Sequence, residues 1–531
     1  MESKIIDIAK EWLSESYDII TQKEVASLIS NGGEELIESF YKDLDFGTGG
    51  MRGIMGVGTN RINKYTIGKA TQGLANTLIE MYPGEEIGVA IAYDCRNKSD
   101  FLAQTAAEVL SANNIKVHLF EALRPTPELS FAVRELNCKS GIVITASHNP
   151  KEYNGYKVYG DDGCQIVSPF DVELISKVRS LSINEVNFKA NKELINSLGE
   201  EMDTKYISRL KTLSLSPEAI KEQSHLPIVF TGIHGTGSVM VPKALKVFGF
   251  TNVYTVASQD IIDGNFPTVK SPNPEEPAAL ELAIALAKEK GAELVMGTDP
   301  DADRVGIAIP NKSGEFVLLN GNQTGSLLVN YLLIRWKELG KITGKEFIAK
   351  TIVTTNLMDV IAIANGVKVY NTLTGFKHIG AIIRALEGKE KFIGGGEESY
   401  GYLAGDFVRD KDAVMSCALI AEMVAWAKSN RKNLFDLMQE MYMEHGFYLE
   451  DLISITKKGR HGAAEIATML DNLRSNPPKS IVGEEVIAII DYLETKKTGL
   501  PESNVLQFIT AKGTKLTARP SGTEPKIKFY F

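Results

Sequence analysis

Cysteine is scarce in this chain, and what little there is shows no pairing pattern. Cys95, Cys138, Cys164 and Cys417 are scattered through 531 residues with no C-x-x-C pair. That spacing excludes a disulfide framework and a cysteine-rich zinc site, and predicts reduced, mostly buried thiols. An excess of positive charge is also missing: 58 Lys and Arg face 67 Asp and Glu, for a net charge of -9. A nucleic-acid binder is normally basic, so no nucleic-acid partner is expected. No stretch reaches the roughly 18 to 20 consecutive apolar residues of a membrane span. The N-terminus opens with Glu2 and Lys4 and carries no apolar signal core. A soluble, cytoplasmic protein without a membrane partner is the expectation. The phosphate-binding loop G-x-x-x-x-G-K-[ST] is absent, which removes support for nucleoside-triphosphate chemistry.

The length exceeds one hydrophobic core, and about three to five domains would be usual. A pattern recurs along the chain: short apolar run, polar loop, amphipathic stretch, glycine, next apolar run. Residues 87–93 and 116–120 read as strands around a helix over 100–112. A second set comprises 227–230, a helix over 241–248, and 253–256. Pro277 opens a helix that runs to Lys290, where Gly291 ends it before the apolar run 294–296. A third set starts with a helix over 327–339 and includes 348–353, 358–364, 367–370 and 392–393. Alternating strands and helices predict α/β layers on largely parallel sheets. The tail differs, because 516–519 and 527–531 flank a Pro/Ser/Gly loop, as in a strand pair of a smaller α+β domain. Polar and charged residues gather at 200–222 and 430–450, where linkers are expected.

Four loops stand out. The first, Thr145-Ala146-Ser147-His148-Asn149-Pro150, follows the apolar run 142–144. A serine in a turn is commonly just a turn residue, and a hydroxyl is a weak nucleophile without a base or a metal. Ser147 is flanked by Ala146 and His148, so the hydrolase elbow G-x-S-x-G does not fit. His148 is its neighbour, but neighbours on an extended strand point apart. The second loop holds Asp299, Asp301 and Asp303 before Arg304. In an extended segment a period of two aims all three carboxylates to one side, where hard oxygens suit Mg²⁺, Mn²⁺ or Ca²⁺. An EF-hand would need glycine and glutamate where Arg304 and Pro310 stand. A solvated acidic turn is the plain alternative.

The third loop, Gly396-Glu397-Glu398-Ser399, offers polar groups suited to sugar hydroxyls, with glycines that permit close backbone approach. The fourth, Arg519-Pro520-Ser521-Gly522-Thr523, offers a guanidinium, two hydroxyls and backbone N–H groups suited to a phosphate dianion. Lys157, in Asn154-Gly155-Tyr156-Lys157, is a candidate acid, base or phosphate contact, and Arg52 is a further cation. A serine opposite three metal-binding carboxylates suits phosphoryl transfer, with the metal neutralising charge as the group moves. The first three loops each follow a β-like run, and loops at the carboxyl ends of strands are where open α/β sheets bind ligands.

As a set and in this order, these motifs resemble the α-D-phosphohexomutase superfamily, and within it the phosphoglucomutases. The resemblance implies an isomerase of carbohydrate metabolism with three similar α/β domains and a smaller C-terminal α+β domain around a central cleft. The expected domains span 1–205, 206–318, 319–435 and 436–531. It implies that Ser147 is the phosphoserine and that Asp299, Asp301 and Asp303 bind one Mg²⁺ together with its phosphate. Glu397 and Ser399 would hold the sugar, and Arg519, Ser521, Gly522 and Thr523 the non-reacting phosphate. Arg52, His148, Lys157, Arg304 and Lys377 match positions near the transferring phosphate or sugar, with Arg409 and Lys411 adding positive charge. The implied reaction interconverts α-D-glucose 1-phosphate and D-glucose 6-phosphate, with glucose 1,6-bisphosphate as intermediate and activator. The partners implied are small sugar phosphates, for a monomer or homodimer. The sugar loop reads Glu-Glu-Ser-Tyr-Gly-Tyr rather than the Glu-Met-Ser-Gly-His of phosphomannomutases, which favours glucose. The stretches 46–52 and 374–377 are similar to a branch that includes phosphopentomutases, so a pentose phosphate stays open, as does a metal-dependent phosphatase.

Overall fold

The computed structural model describes residues 2–44, 46–47, 50–457, 459–520 and 526–531, without the side chains of 2, 46–47 and 459–463. Four sheets organise it, of seven, five, four and six strands. In the first, the runs Gly88–Tyr93, Lys116–Phe120, Ser140–Ile144 and Ile195–Leu198 lie parallel. Their side chains alternate between two cores. Val89, Ile91, Ile142 and Ile144 join Leu74, Leu102 and Leu110 on one side. Ala90, Ala92 and Val143 join Phe131 and Tyr206 on the other. Both faces are therefore covered, which is why Ser140–Ile144 reads as a continuous apolar run.

Each of the first three sheets has a parallel centre with an antiparallel margin. Ser140–Ile144 turns back into Tyr153–Gly160, Leu294–Thr298 into Val305–Pro310, and Lys391–Glu397 into Gly401–Ala404. The sheets are thus mixed rather than largely parallel. Every motif loop of these three sheets is the hairpin at which the direction reverses. The fourth sheet is antiparallel throughout, built from Leu452–Thr456, Lys526–Tyr530, Lys515–Pro520, Leu506–Thr510, Glu484–Asp491 and Ser480–Ile481. The helix Gly459–Ser475 packs on it. Three α/β units and a smaller α+β unit are the architecture, as the sequence pattern predicts.

The expected linkers are mostly helix. Residues 200–222 contain Glu200–Lys211 and Pro217–Glu222, and Leu434–His445 fills much of 430–450. Apart from the buried Asp203, their charges lie towards the outer faces, while Met202, Tyr206, Leu210, Met438 and Met441 are buried. The helix Pro277–Lys290 does end at Gly291, whose φ of 63° permits the left-handed cap. Ala413–Ser429 is apolar nearly all round and runs through the shared core. Its one acid, Glu422, is buried and accepts hydrogen bonds from Leu215 N (2.7 Å), Ser216 N (3.1 Å) and Tyr331 Oη (2.7 Å). Among the described residues no helix is long and apolar enough to cross a membrane. All four cysteines are free, and three of them are buried.

Candidate active site

The serine hairpin is held from beneath by a guanidinium. Arg96, only 3% exposed, donates to the carbonyls of Ser147 (2.6 Å), Asn149 (2.5 Å), Pro150 (2.8 Å) and Tyr153 (2.9 Å). Asp94 lies 3.4 Å from Arg96 Nε and accepts from Thr145 Oγ1 (2.6 Å) and Ser99 Oγ (2.8 Å). This buried network fixes Ser147 in the left-handed region at φ 52°, unusual for a residue with a Cβ. The consequence is chemical. In that conformation Ser147 Oγ and His148 Nδ1 lie 3.2 Å apart, whereas an extended backbone would point them away from each other.

Ser147 Oγ also donates to Asp299 Oδ2 at 2.7 Å, across from one sheet to the next. Asp299, Asp301 and Asp303 offer oxygens that all lie within 4.8 Å of one another. They converge because the loop 299–304 is a tight hairpin, not because an extended strand alternates. Ala302 N bonds Asp299 O at 3.0 Å with Ala302 at φ 49°, while Asp303 N (3.1 Å) and Arg304 N (3.0 Å) both donate to Asp299 Oδ1. The first sheet's unit supports this loop: Thr126 donates through its hydroxyl to Asp301 Oδ2 (2.8 Å) and through its N–H to Asp301 O (2.9 Å). Lys157 Nζ reaches Asp301 Oδ2 (2.8 Å) and Asp303 Oδ2 (3.3 Å). Lys411 Nζ, from the third sheet's side, reaches Asp303 Oδ2 (3.1 Å) and Asp410 Oδ1 (3.0 Å). Among the described residues, Asp301 Oδ1 and Asp303 Oδ1 are buried with no hydrogen-bond partner. Buried carboxylate oxygens left open beside one another are the donor set that a hard divalent cation takes.

Charge sorts the ionisation of this cluster. Burial, with Asp301 and Asp303 beside it, pushes the Asp299 carboxyl well above its usual range. Burial alone would raise Asp303 too, but Lys411, Lys157 and Arg304 hold it below the ordinary carboxylate range. Burial would lower Lys157 and Lys411, yet the adjoining carboxylates raise both, so both stay ammonium ions. Burial and the guanidinium groups of Arg304 and Arg52 push His148 well below its usual value, which keeps the ring neutral with a lone pair available.

Arg52 donates to Asn149 Oδ1 at 2.9 Å, on the rim of the serine loop. Arg304 is braced by Glu275 at 2.6 Å. Glu397 accepts from Gly375 N at 2.9 Å, which joins the sugar-type loop to the stretch 374–377, and its charge reaches both Arg304 and Lys411. Ser399 is half-buried in the turn that follows. Lys377 stands apart from the acidic trio, 3.9 Å from Asp171. Arg409 is fully buried, with its guanidinium 3.0 Å from Glu387. Gly395 and Gly396 serve packing, not ligand approach: a Cβ would lie 1.9 Å from Ala349 O at the first and 2.4 Å from Gly401 O at the second. Arg519 sits opposite Lys528 across two strands, and both cations act on Glu398. Like charges directly opposite one another are unfavourable without an anion between them. Ser521, Gly522 and Thr523 lie outside the described residues.

Sequence reasoning passed over Asp94, Arg96, Thr126, Glu275 and Lys528. Arg96 sits in Asp94-Cys95-Arg96 just after a strand end, a position that could have drawn attention. Thr126 carries no local signal, since its partner Asp301 is 175 positions away.

Comparisons with known proteins agree with this geometry. Models described as phosphoglucomutase/phosphomannomutase, alpha/beta/alpha domains I, II and III, match residues 43–184, 204–314 and 320–445. A phosphoglucomutase of Staphylococcus haemolyticus is 39% identical over 508 residues, covering 93% of this chain and 91% of its own. One from Staphylococcus epidermidis is 38% identical over 529 residues, covering 97% and 95%. Among solved structures, a putative phosphomannomutase from Thermus thermophilus superposes with a TM-score of 0.69 at 21% identity, over 92% of this chain and 95% of that one. The open form of the Paramecium phosphoprotein pp63/parafusin gives 0.71 at 18%, over 92% and 91%; at such identities the likeness speaks for the fold. The relatives' identity over nearly the full length, together with the three matched domains, shows that this chain belongs to the phosphoglucomutase/phosphomannomutase family.

Proposed function

We propose that the protein interconverts α-D-glucose 1-phosphate and D-glucose 6-phosphate through phosphorylated Ser147 and a glucose 1,6-bisphosphate intermediate. The observation that carries this reading is Ser147 Oγ at 2.7 Å from Asp299 Oδ2, at the edge of a carboxylate trio with two open buried oxygens. Asp299, Asp301 and Asp303 would hold one Mg²⁺ with the serine phosphate, and the ion would supply charge neutralisation for the moving phosphoryl group. In the first step the Ser147 Oγ–P bond breaks, a P–O bond to the free sugar hydroxyl forms, and that hydroxyl's proton departs. That proton is accepted by Nδ1 of the neutral His148 ring and passed to Ser147 Oγ, 3.2 Å away, and the same ring carries it back in the return step. The bisphosphate then turns over, and its other phosphoryl group passes back to Ser147.

Lys157, kept as an ammonium ion by Asp301 and Asp303, acts as a cation for the phosphoryl oxygens rather than as a base, alongside Arg52 and Arg304. Glu397, Ser399, Lys377 and Lys411 hold the sugar, and Arg519, Ser521, Gly522 and Thr523 hold the phosphate that is not reacting. The domains divide at 205, 318 and 435, each sheet bringing one loop. The loop Glu397-Glu398-Ser399-Tyr400-Gly401 and the names of the relatives favour glucose over mannose or a pentose. This reading includes a cytoplasmic enzyme that works as a monomer or homodimer on small sugar phosphates.

Intact-mass analysis should find one added phosphate mapping to Ser147. A coupled assay with Mg²⁺ and bisphosphate activator should convert glucose 1-phosphate to glucose 6-phosphate faster than mannose, ribose or glucosamine 1-phosphates. Release of inorganic phosphate with no glucose 6-phosphate would overturn the reading in favour of a phosphatase.

A further inference from the structure

Lys515 begins the strand Lys515–Pro520, which carries Arg519 at its other end, about 13 Å away at 3.3 Å per residue. Its side chain leaves the fourth sheet's unit and enters the third. Nζ donates to Ile352 O (3.0 Å), Thr354 O (3.2 Å) and Asn356 Oδ1 (2.8 Å). An ammonium group has three protons, and here all three are directed at one loop, residues 352–356. Gln507, two strand positions across, adds a bond to Ile352 O at 2.9 Å, and Tyr492 Oη holds Gln507 Oε1 at 2.8 Å.

The loop 352–356 is also the support of the sugar-type loop. Thr354 Oγ1 accepts from Glu398 N (3.2 Å) and donates to Glu398 Oε2 (3.4 Å), while Thr351 Oγ1 donates to the same oxygen (3.3 Å). Only one residue, Thr354, therefore separates Lys515 from Glu398, the neighbour of Glu397 and Ser399. The charges around Lys515 are mixed: Lys350 repels it, and Asp359, Glu450 and Glu398 attract it. Lys350 itself is 1% exposed, paired with Asp359 at 2.8 Å, and points a proton at Thr354 O from 3.4 Å. A buried Lys350 and a half-buried Lys515 beside one carbonyl form a poor way to gain stability alone, because an apolar side chain of similar length would pack there without desolvating a charge. What a donor of two or three protons adds is direction.

We propose that Lys515 is a positioning residue that sets the distance between the Arg519 phosphate strand and the Glu397–Ser399 loop by clamping the carbonyls of 352 and 354. The proposal rests on the mutase reading, since it assigns the two ends of one substrate to those two loops. Replacing Lys515 by methionine keeps the stem and removes the donors. A misplaced phosphate strand weakens the hold on substrate without touching the serine, the aspartates or His148. K515M is expected to raise KM for glucose 1-phosphate about tenfold with kcat within about twofold. Hydrogen exchange should quicken at the Ile352, Thr354 and Thr355 amides and stay unchanged in Ser140–Ile144. K515R, which restores donors to the carbonyls, should recover most of both effects.

An unchanged KM, or a parallel loss of kcat with faster exchange everywhere, overturns the positioning role. The exchange measurement needs no substrate. If neither wild type nor variant interconverts the glucose phosphates, the mutase reading has failed, and the exchange at 352–355 still decides the clamp.

Discussion

The junction between the first two sheets and the junction between the last two are built in opposite ways. At the first, Ala92 and Val143 share one continuous core with Phe230, Met296, Phe347 and Leu419. Buried polar bonds cross it as well: Ser147 to Asp299, and Thr126 and Lys157 to Asp301. The fourth sheet keeps a core of its own, around Leu470, Phe508, Ala518 and Ile527. Among the described residues it meets the third through a small cluster of Ile352, Val353, Leu373, Tyr492, Val505 and Tyr530, with Gln507 and Lys515 among the polar ties. The reacting groups are thus locked together, and the strand proposed to hold the distant phosphate is seated on a lighter contact. Such a division suits a reaction in which the chemistry needs fixed geometry while the substrate must enter, turn and leave.

The largest test of the locked half removes the nucleophile. Ser147→Ala is expected to lower mutase turnover by about four orders of magnitude or more and to abolish the added phosphate in intact mass. Next is the support beneath the serine. Arg96→Met would leave Asp94 buried without its cation and four carbonyls without their donor, a loss of about 3–5 kcal/mol in stability. Thermal unfolding should register it, with kcat falling about a hundredfold in whatever remains folded. A stable variant with full kcat would show that the serine loop holds its own shape.

A smaller effect separates the metal ligands from what orients them. Thr126→Val deletes one hydroxyl at Asp301 and should weaken Mn²⁺ binding about tenfold, read by titration without substrate. Unchanged affinity would mean that Lys157 alone suffices to orient Asp301.

The smallest effect belongs to the lighter junction. Burial and the nearby Lys350 press Lys515 from 10.5 down to about 7. A docked Lys515 then binds fewer protons than a released one between those two values, so docking tightens as pH rises from about 7 towards 10.5 and is weakest at and below 7. Small-angle scattering across that window should show a slightly more compact protein at the higher pH. A flat profile, or one of opposite sign, would detach Lys515 from the docking equilibrium.

Much of the site could be read from the chain because its chemistry is concentrated in hairpin loops. Asp299, Asp301 and Asp303 lie within five residues, and Ser147 adjoins His148, so residue type and spacing alone point to them. The reason given for their convergence needed correction, since a turn at Ala302 does what an extended period of two was expected to do. Other readings failed for reasons of packing. The charged stretches at 200–222 and 430–450 are amphipathic helices whose buried faces outweigh their surface charge. Arg409 has the right charge for a phosphate contact, but its place in the fold turns it to Glu387.

The chain alone determined the α/β class, the turn residues, the end of the helix at Gly291 and the identity of the reactive side chains, because those depend on neighbours in sequence. Tertiary structure decided which charges meet. Arg96 beneath Ser147, Thr126 against Asp301 and Lys515 against Ile352 join positions 51, 175 and 163 apart. No local pattern encodes such pairs, for their energy arises only when burial strips the water from both partners.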